Sequence, residues 1–130
     1  MTKKQVIDVP GNVNSPVLSP AIRYGNLIFT SGMVGHDPTT GKLVDGGIRE
    51  QTRQTLENLK HALESAGSSL DCVLKANCFV AMMEDKNAFN EVYCEYFPSE
   101  PPVRTCTEAG KLGEGILVEI DLIAGVLEDR

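Results

Sequence analysis

The chain has 130 residues, 42% of them hydrophobic and 23% charged, which fits one globular domain, residues 1–130, able to bury about two thirds of its unfolded surface. A net charge of −6, scattered lysines and arginines, and no tryptophan disfavour a phosphate-tracking surface or a stacking platform, so nucleic acid is not the expected partner. The first ten residues have two lysines but no apolar run before Asp8 and Pro10, and the stretch from Ile116 to Leu127 is broken by Glu119 and Asp121; neither a signal peptide nor a membrane span is indicated, and a soluble, cytoplasmic protein is expected.

The lead-in from Val13 to Pro20 holds two prolines and several turn formers, so it is expected to be extended or looped. Ala21 to Tyr24, a Gly25-Asn26 turn and Leu27 to Ser31 then read as a hairpin. Its second strand is apolar on both faces, with Ile28 pointing one way and Leu27 and Phe29 the other, so both sides require cover. The segment from His36 to Lys42 is rich in turn residues, which makes His36 an exposed loop residue. From Ile48 to Ala66, apolar or semi-apolar residues at Ile48, Thr52, Leu56, Leu59, Leu63 and Ala66 predict a helix. Asp45 or a nearby glycine would precede it, and Gly67 would stop it. Its polar face, with Arg53, Glu57, Lys60, His61 and Glu64, is expected to be solvated and to carry i,i+4 charge pairs.

After a connector at residues 68–71, Val73 to Met82 alternates as a strand. Leu74, Ala76, Cys78, Val80 and Met82 are assigned to one face, and Lys75, Asn77 and Phe79 to the other. Asp85 can cap a second helix whose stripe is Phe89, Val92, Tyr93, Tyr96 and Phe97, closed by Pro98. Beyond Pro101-Pro102, Val103 to Glu108 and Gly115 to Ala124 alternate around a turn-rich segment, which predicts a C-terminal hairpin. With its loop centred near Leu112, Arg104 would lie opposite Asp121 and Cys106 opposite Glu119. An arginine beside two carboxylates in an apolar sheet is either a structural ion pair or a site.

Four cysteines, at positions 72, 78, 94 and 106, include no CxxC pair, and His36 and His61 are the only histidines. Zinc and redox motifs are not suggested; Cys72, Cys78 and Cys94 are read as reduced, buried small hydrophobes. The order strand, strand, helix, strand, helix, strand, strand gives an α+β domain with two helices on one face of a sheet. Its other face, assigned Phe79 and the Arg104 and Glu119 side, is expected to be covered by another copy of the chain.

The segments Arg49 to Leu59, Asn90 to Tyr93 with Tyr96-Phe97, Pro102 to Cys106 and Leu117 to Ala124 together resemble the RidA/YjgF/UK114 (endoribonuclease L-PSP-like) family over about Ser19 to Ala124. The resemblance implies a chorismate-mutase-like α+β fold and a homotrimer with clefts between subunits. It also implies hydrolytic deamination of reactive enamine and imine intermediates, such as the 2-aminoacrylate released by pyridoxal-phosphate dehydratases, to 2-keto acids and ammonia. No metal or tightly held cofactor is implied, because the imine is already electrophilic. By position, Arg104 matches the family arginine that binds the substrate carboxylate, a role that a flat, permanently charged two-pronged donor suits. Glu119 matches the glutamate associated with the attacking water. Asn90 matches a helix asparagine near the cleft, Cys106 the residue whose backbone lines it, and Gly32 would give close backbone access.

Three positions depart from the family pattern. Leu18 stands where many members have tyrosine, Pro20 where they have glutamine, and Met33 follows Ser31-Gly32 where glutamine is common. Loss of the tyrosine hydroxyl makes the pocket more apolar, so the expectation is weaker deamination or a bulkier, less polar substrate. A second function stays open on this ground: a trimeric protein that binds a small carboxylate metabolite with little turnover. The ribonuclease activity reported for some members is disfavoured by the acidic balance.

Overall fold

Six strands form one mixed sheet and two helices pack on a single face of it in the computed structural model, which describes residues 2–12 and 14–127. Met1, Val13 at the start of the expected lead-in, and residues 128–130 lie outside the described residues. The strands are β1 (Gln5–Ile7), β2 (Ala21–Tyr24), β3 (Leu27–Thr30), β4 (Val73–Val80), β5 (Val103–Glu108) and β6 (Val118–Gly125), and the helices are α1 (Ile48–Ser65) and α2 (Lys86–Tyr96). Strand order across the sheet is β1-β2-β3-β6-β4-β5. The architecture is α+β, as the element pattern predicts.

The β2–β3 hairpin forms in the expected register, with Tyr24 opposite Leu27, and Gly25 supplies the positive φ of the turn. β1, which was not expected, pairs antiparallel with β2 and lengthens that end of the sheet. Its short polar flanks gave no alternation to read.

Helix α1 starts after Gly47, whose N–H donates to the Glu50 carboxylate at 2.8 Å, and its C-terminus meets Gly67 in the left-handed region. Its predicted stripe is buried against the sheet, joined by Gln51, Thr55 and Ala62. Gln51 ties the helix to the entry of β6, donating to the Gly115 carbonyl at 2.9 Å and accepting from the Leu117 N–H at 2.8 Å. The polar face does not form the expected i,i+4 charge pairs. Arg49 and Arg53 instead reach across to Glu91 and Glu95 of α2 at 2.8 and 2.7 Å, and the Tyr96 hydroxyl donates to Glu57 at 2.8 Å. The neighbouring helix offers carboxylates that the sequence spacing of α1 alone could not reveal.

Three local expectations are corrected. A register shift between Val73 and Lys75 in the pairing of β4 with β6 puts Val73 in the core and leaves Leu74 exposed, and Met82 lies outside the strand on the surface. Asp85 precedes α2 without a side-chain capping bond. Among the cysteines, Cys78 is buried, but Cys94 is exposed on the outer flank of α2 and Cys72 is only partly covered.

The largest correction concerns the C-terminal strands. β5 is not the hairpin partner of β6: it lies parallel to β4 at the sheet edge, while β6 runs antiparallel between β3 and β4. A strand, helix, strand crossover through α2 delivers the chain to a parallel neighbour, and residues 109–117 then carry it past β4. Arg104 is therefore aligned with Ala76, and Asp121 with Asn77, with β4 between them. Cys106 is aligned with Cys78, and Glu119 with Phe79.

Candidate active site

Alternation along these registers divides the candidate residues between the two faces of the sheet. Ala76, Cys78 and Val80 point to the helices, and so do their β5 partners Arg104, Cys106 and Glu108. Asn77 and Phe79 point away, together with Asp121 and Glu119 of β6. The expectation that Arg104 shares a face with Glu119 is therefore corrected.

On the helix face, Arg104 is partly buried and donates from Nη1 to Asn90 Oδ1 at 2.8 Å. Its guanidinium carbon lies 4.8 Å from the ring centre of Tyr93 and 5.7 Å from that of Phe89. All three partners come from α2, which explains why the asparagine of the helix motif and the arginine of the strand motif belong together. Among the described residues, no carboxylate lies within ion-pair distance of Arg104. Cys106 follows on the same face, and burial pushes the neighbouring Cys78 thiol up to about 12, leaving it protonated and unreactive.

On the open face, Glu119 is partly covered, and burial, then the negative charge of Asp121, hold its carboxyl above the ordinary glutamate range. Asp121 accepts from Asn77 Nδ2 at 2.8 Å, whereas no protein donor reaches the Glu119 carboxylate among the described residues. Gly32 lies directly beside it: a Cβ there would collide with the Glu119 carboxylate and stand 3.0 Å from its Cδ. Gly32→Ala is expected to fold, because the side chain it meets is flexible. It should displace that carboxylate with little change in melting temperature, which thermal denaturation and a crystal structure of the variant check.

The chain around Gly32 is held firmly. Met33 and Ile120 exchange backbone hydrogen bonds at 2.8 and 3.0 Å, and Ser31 Oγ donates to the Ser19 carbonyl at 2.6 Å. That second bond fixes the lead-in beside Gly32, so the exposed Leu18 is anchored near the Glu119 end of the sheet. Pro20 continues the same anchorage, its carbonyl accepting from Ser31 N–H at 3.0 Å. A groove of about 290 Å³ opens alongside, lined in part by Gly32, Met33, Val34, His36 and Asn58. His36 is exposed there, as its turn setting predicts, and its carbonyl accepts from Asn58.

Sequence reasoning missed the contacts of Phe89 and Tyr93 with Arg104, because both residues fit an apolar core stripe. Tyr93 falls three positions after Asn90 and so shares its helix face, which was the available signal. Among the described residues, no group of three His, Cys, Asp or Glu side chains is placed to hold a metal ion, and no helix is long and apolar enough to cross a membrane.

Comparison with known proteins places this arrangement in a family. The endoribonuclease L-PSP family model matches residues 14–126. A RutC family protein of Pyrococcus horikoshii is 45% identical over 106 residues, covering 82% of this chain and 84% of the relative. The human 2-iminobutanoate/2-iminopropanoate deaminase is 36% identical over 106 residues, covering 82% and 77%. Among solved structures, Escherichia coli TdcF with bound serine superposes with a TM-score of 0.85 at 28% identity, covering 95% of this chain and 99% of the other. The chain belongs to the endoribonuclease L-PSP family, the RidA/YjgF/UK114 group of proteins.

Proposed function

We propose that this protein hydrolyses reactive enamine and imine intermediates of the 2-aminoacrylate type to 2-keto acids and ammonia. One observation carries the reading: a partly buried arginine whose charge is met by a neutral amide oxygen and two aromatic rings, and by no carboxylate among the described residues. A guanidinium left with free donors in such a setting suits a small carboxylate ligand. The imine deaminase relative and the serine-bound relative support a substrate of that size.

Arg104 would bind the substrate carboxylate while Asn90 fixes one of its nitrogens. The enamine would first gain a proton at its terminal carbon and lose one from nitrogen to become the imine. Glu119, ionised, would then take a proton from water as the water oxygen bonds to the imine carbon, and that proton would pass to the imine nitrogen. The resulting carbinolamine loses ammonia, breaking the C–N bond as the hydroxyl oxygen gives up its proton and becomes the ketone. Gly32 and the backbone of Cys106 would line the cleft.

Because Arg104 and Glu119 face opposite sides of the sheet, one chain cannot bring them to one substrate. The complete site is assigned to a cleft between copies, in a homotrimer that also covers the open face, where Leu27 and Phe29 are 38% and 40% exposed. Leu18, held beside Gly32, would give that cleft an apolar wall.

The test supplies purified protein with imine generated in situ by a serine or threonine dehydratase and follows release of keto acid. Acceleration over the spontaneous rate supports the reading, and an unchanged rate contradicts it. A second reading, a carboxylate-metabolite binding protein with little turnover, is favoured by Leu18 in place of the family tyrosine. Thermal shifts with pyruvate but no acceleration would select it. RNA cleavage is disfavoured, since Arg49 and Arg53 are engaged by carboxylates rather than free for phosphates.

A further inference from the structure

We propose that Tyr93 is a positioning residue for Arg104, its ring face setting the plane in which the guanidinium meets a carboxylate. This rests on the assignment of Arg104 as the carboxylate binder. Arg104 leaves an edge strand on a long, flexible side chain, and a two-pronged contact works only if the planar fork is turned correctly. A single hydrogen bond from Nη1 to Asn90 leaves the group free to swivel about that bond. The Tyr93 ring, 4.8 Å below Cζ, supplies a second constraint of a different kind, because a cation prefers the negative face of the ring.

The ring itself is fixed. Phe89, Tyr93 and Phe97 recur one helical turn apart with ring centres 5.6 and 4.7 Å from their neighbours, and all three are buried. Phe89 extends the platform under Arg104 at 5.7 Å. The hydroxyl plays no part in this: it is buried and has no hydrogen-bond partner. A role resting on the ring alone thus separates cleanly from a role resting on the phenol.

The experiment places phenylalanine, then phenylalanines of increasing ring fluorination, and then leucine at position 93. Fluorination drains the negative face of the ring with little change in shape, so the series keeps the core filled. Two readouts are taken on each protein: the Kd for pyruvate, and the NMR shift of the Arg104 Nε–H, which feels the ring current. Tyr93→Phe should hold the Kd within about twofold, each further fluorine should weaken binding stepwise, and Tyr93→Leu should weaken it by about 10-fold or more. In an Arg104→Lys background, which lacks the flat fork, Tyr93→Leu should add little. A flat fluorination series, or an equal Tyr93→Leu penalty in both backgrounds, overturns the proposal. If wild type fails to bind pyruvate, the carboxylate-binding reading of Arg104 falls instead. The Arg104 Nε–H shift then still decides whether the ring holds the guanidinium, and a shift unmoved by Tyr93→Leu rejects it.

Discussion

Arg104→Ala is expected to lower kcat/KM for a dehydratase-generated imine by about 10³-fold, equivalent to about 4 kcal/mol of lost transition-state stabilisation. The loss arises because the substrate carboxylate would enter the cleft beside Asn90, above the buried rings of Tyr93 and Phe89, with nothing to neutralise it. Arg104→Lys keeps the charge but not the flat pair of donors, and it should recover about a tenth of that loss or less. Stability should change little in either variant. The one hydrogen bond to Asn90 and the aromatic contacts are lost, but so is the cost of holding a partly buried charge without a counter-ion, and the two effects oppose each other. A melting temperature within a few degrees of wild type, beside a collapsed rate, separates function from folding. Unchanged rates would remove Arg104 from the reaction.

Glu119→Gln is expected to move activity and stability in opposite directions. Without a carboxylate to take the proton from water, kcat should fall by about 10²- to 10⁴-fold. Wild-type kcat should rise with pH through a value above the ordinary glutamate range, since burial and Asp121 both favour the protonated form. The same shift sets the stability effect. Below the ordinary glutamate range the group is protonated in both the folded and unfolded chains, and its favourable contribution is fully present. As pH rises through the raised folded value that contribution is lost, because the folded protein must hold a charge the unfolded chain accommodates more easily. Glutamine carries no charge at any pH, so Glu119→Gln should melt above wild type at pH 7 to 8, with the advantage gone below about pH 4. Differential scanning calorimetry across that range checks it, and an advantage that grows on acidification would contradict the assignment.

Helix α1 and the β2–β3 hairpin were legible in the sequence because each carries its own punctuation. Gly67 stops the helix, Gly25 permits the turn, and the apolar spacing between such marks has one sensible reading. The partner of β5 was not legible. A period of two says that neighbours in a strand face opposite ways, but it does not say which strand lies alongside, and two adjacent alternating segments look like a hairpin whether or not a third strand enters between them. The error placed Arg104 on the face of Glu119. Similarly, the bulge at Val73 flips Leu74 without leaving any mark in composition.

For the candidate site, the residue types were legible and their relationship was not. Motif resemblance picked out Arg104, Glu119 and Asn90, and the fold then joined Arg104 to Asn90 while separating both from Glu119. The sequence suggests backbone access at Gly32, and the structure gives it a narrower setting, with the Glu119 carboxylate filling the space a side chain would occupy. In sequence, Leu18 and Met33 depart from the family pattern. Anchorage of the lead-in through Ser19 and Ser31, and the groove beside Met33, now locate both near the Glu119 end.

Complementation between two inactive variants tests most directly whether the site is built from two copies. Arg104→Ala and Glu119→Gln proteins, each inactive alone, are mixed through partial unfolding and refolding or made together in one cell. Where a copy with an intact Arg104 meets a copy with an intact Glu119, a complete cleft forms, and random mixing in equal amounts creates it at about one quarter of the interfaces. Recovery of about a quarter of wild-type deaminase activity is the predicted result. Mixed oligomers that form, as native mass spectrometry would verify, yet stay inactive would contradict a site shared between copies.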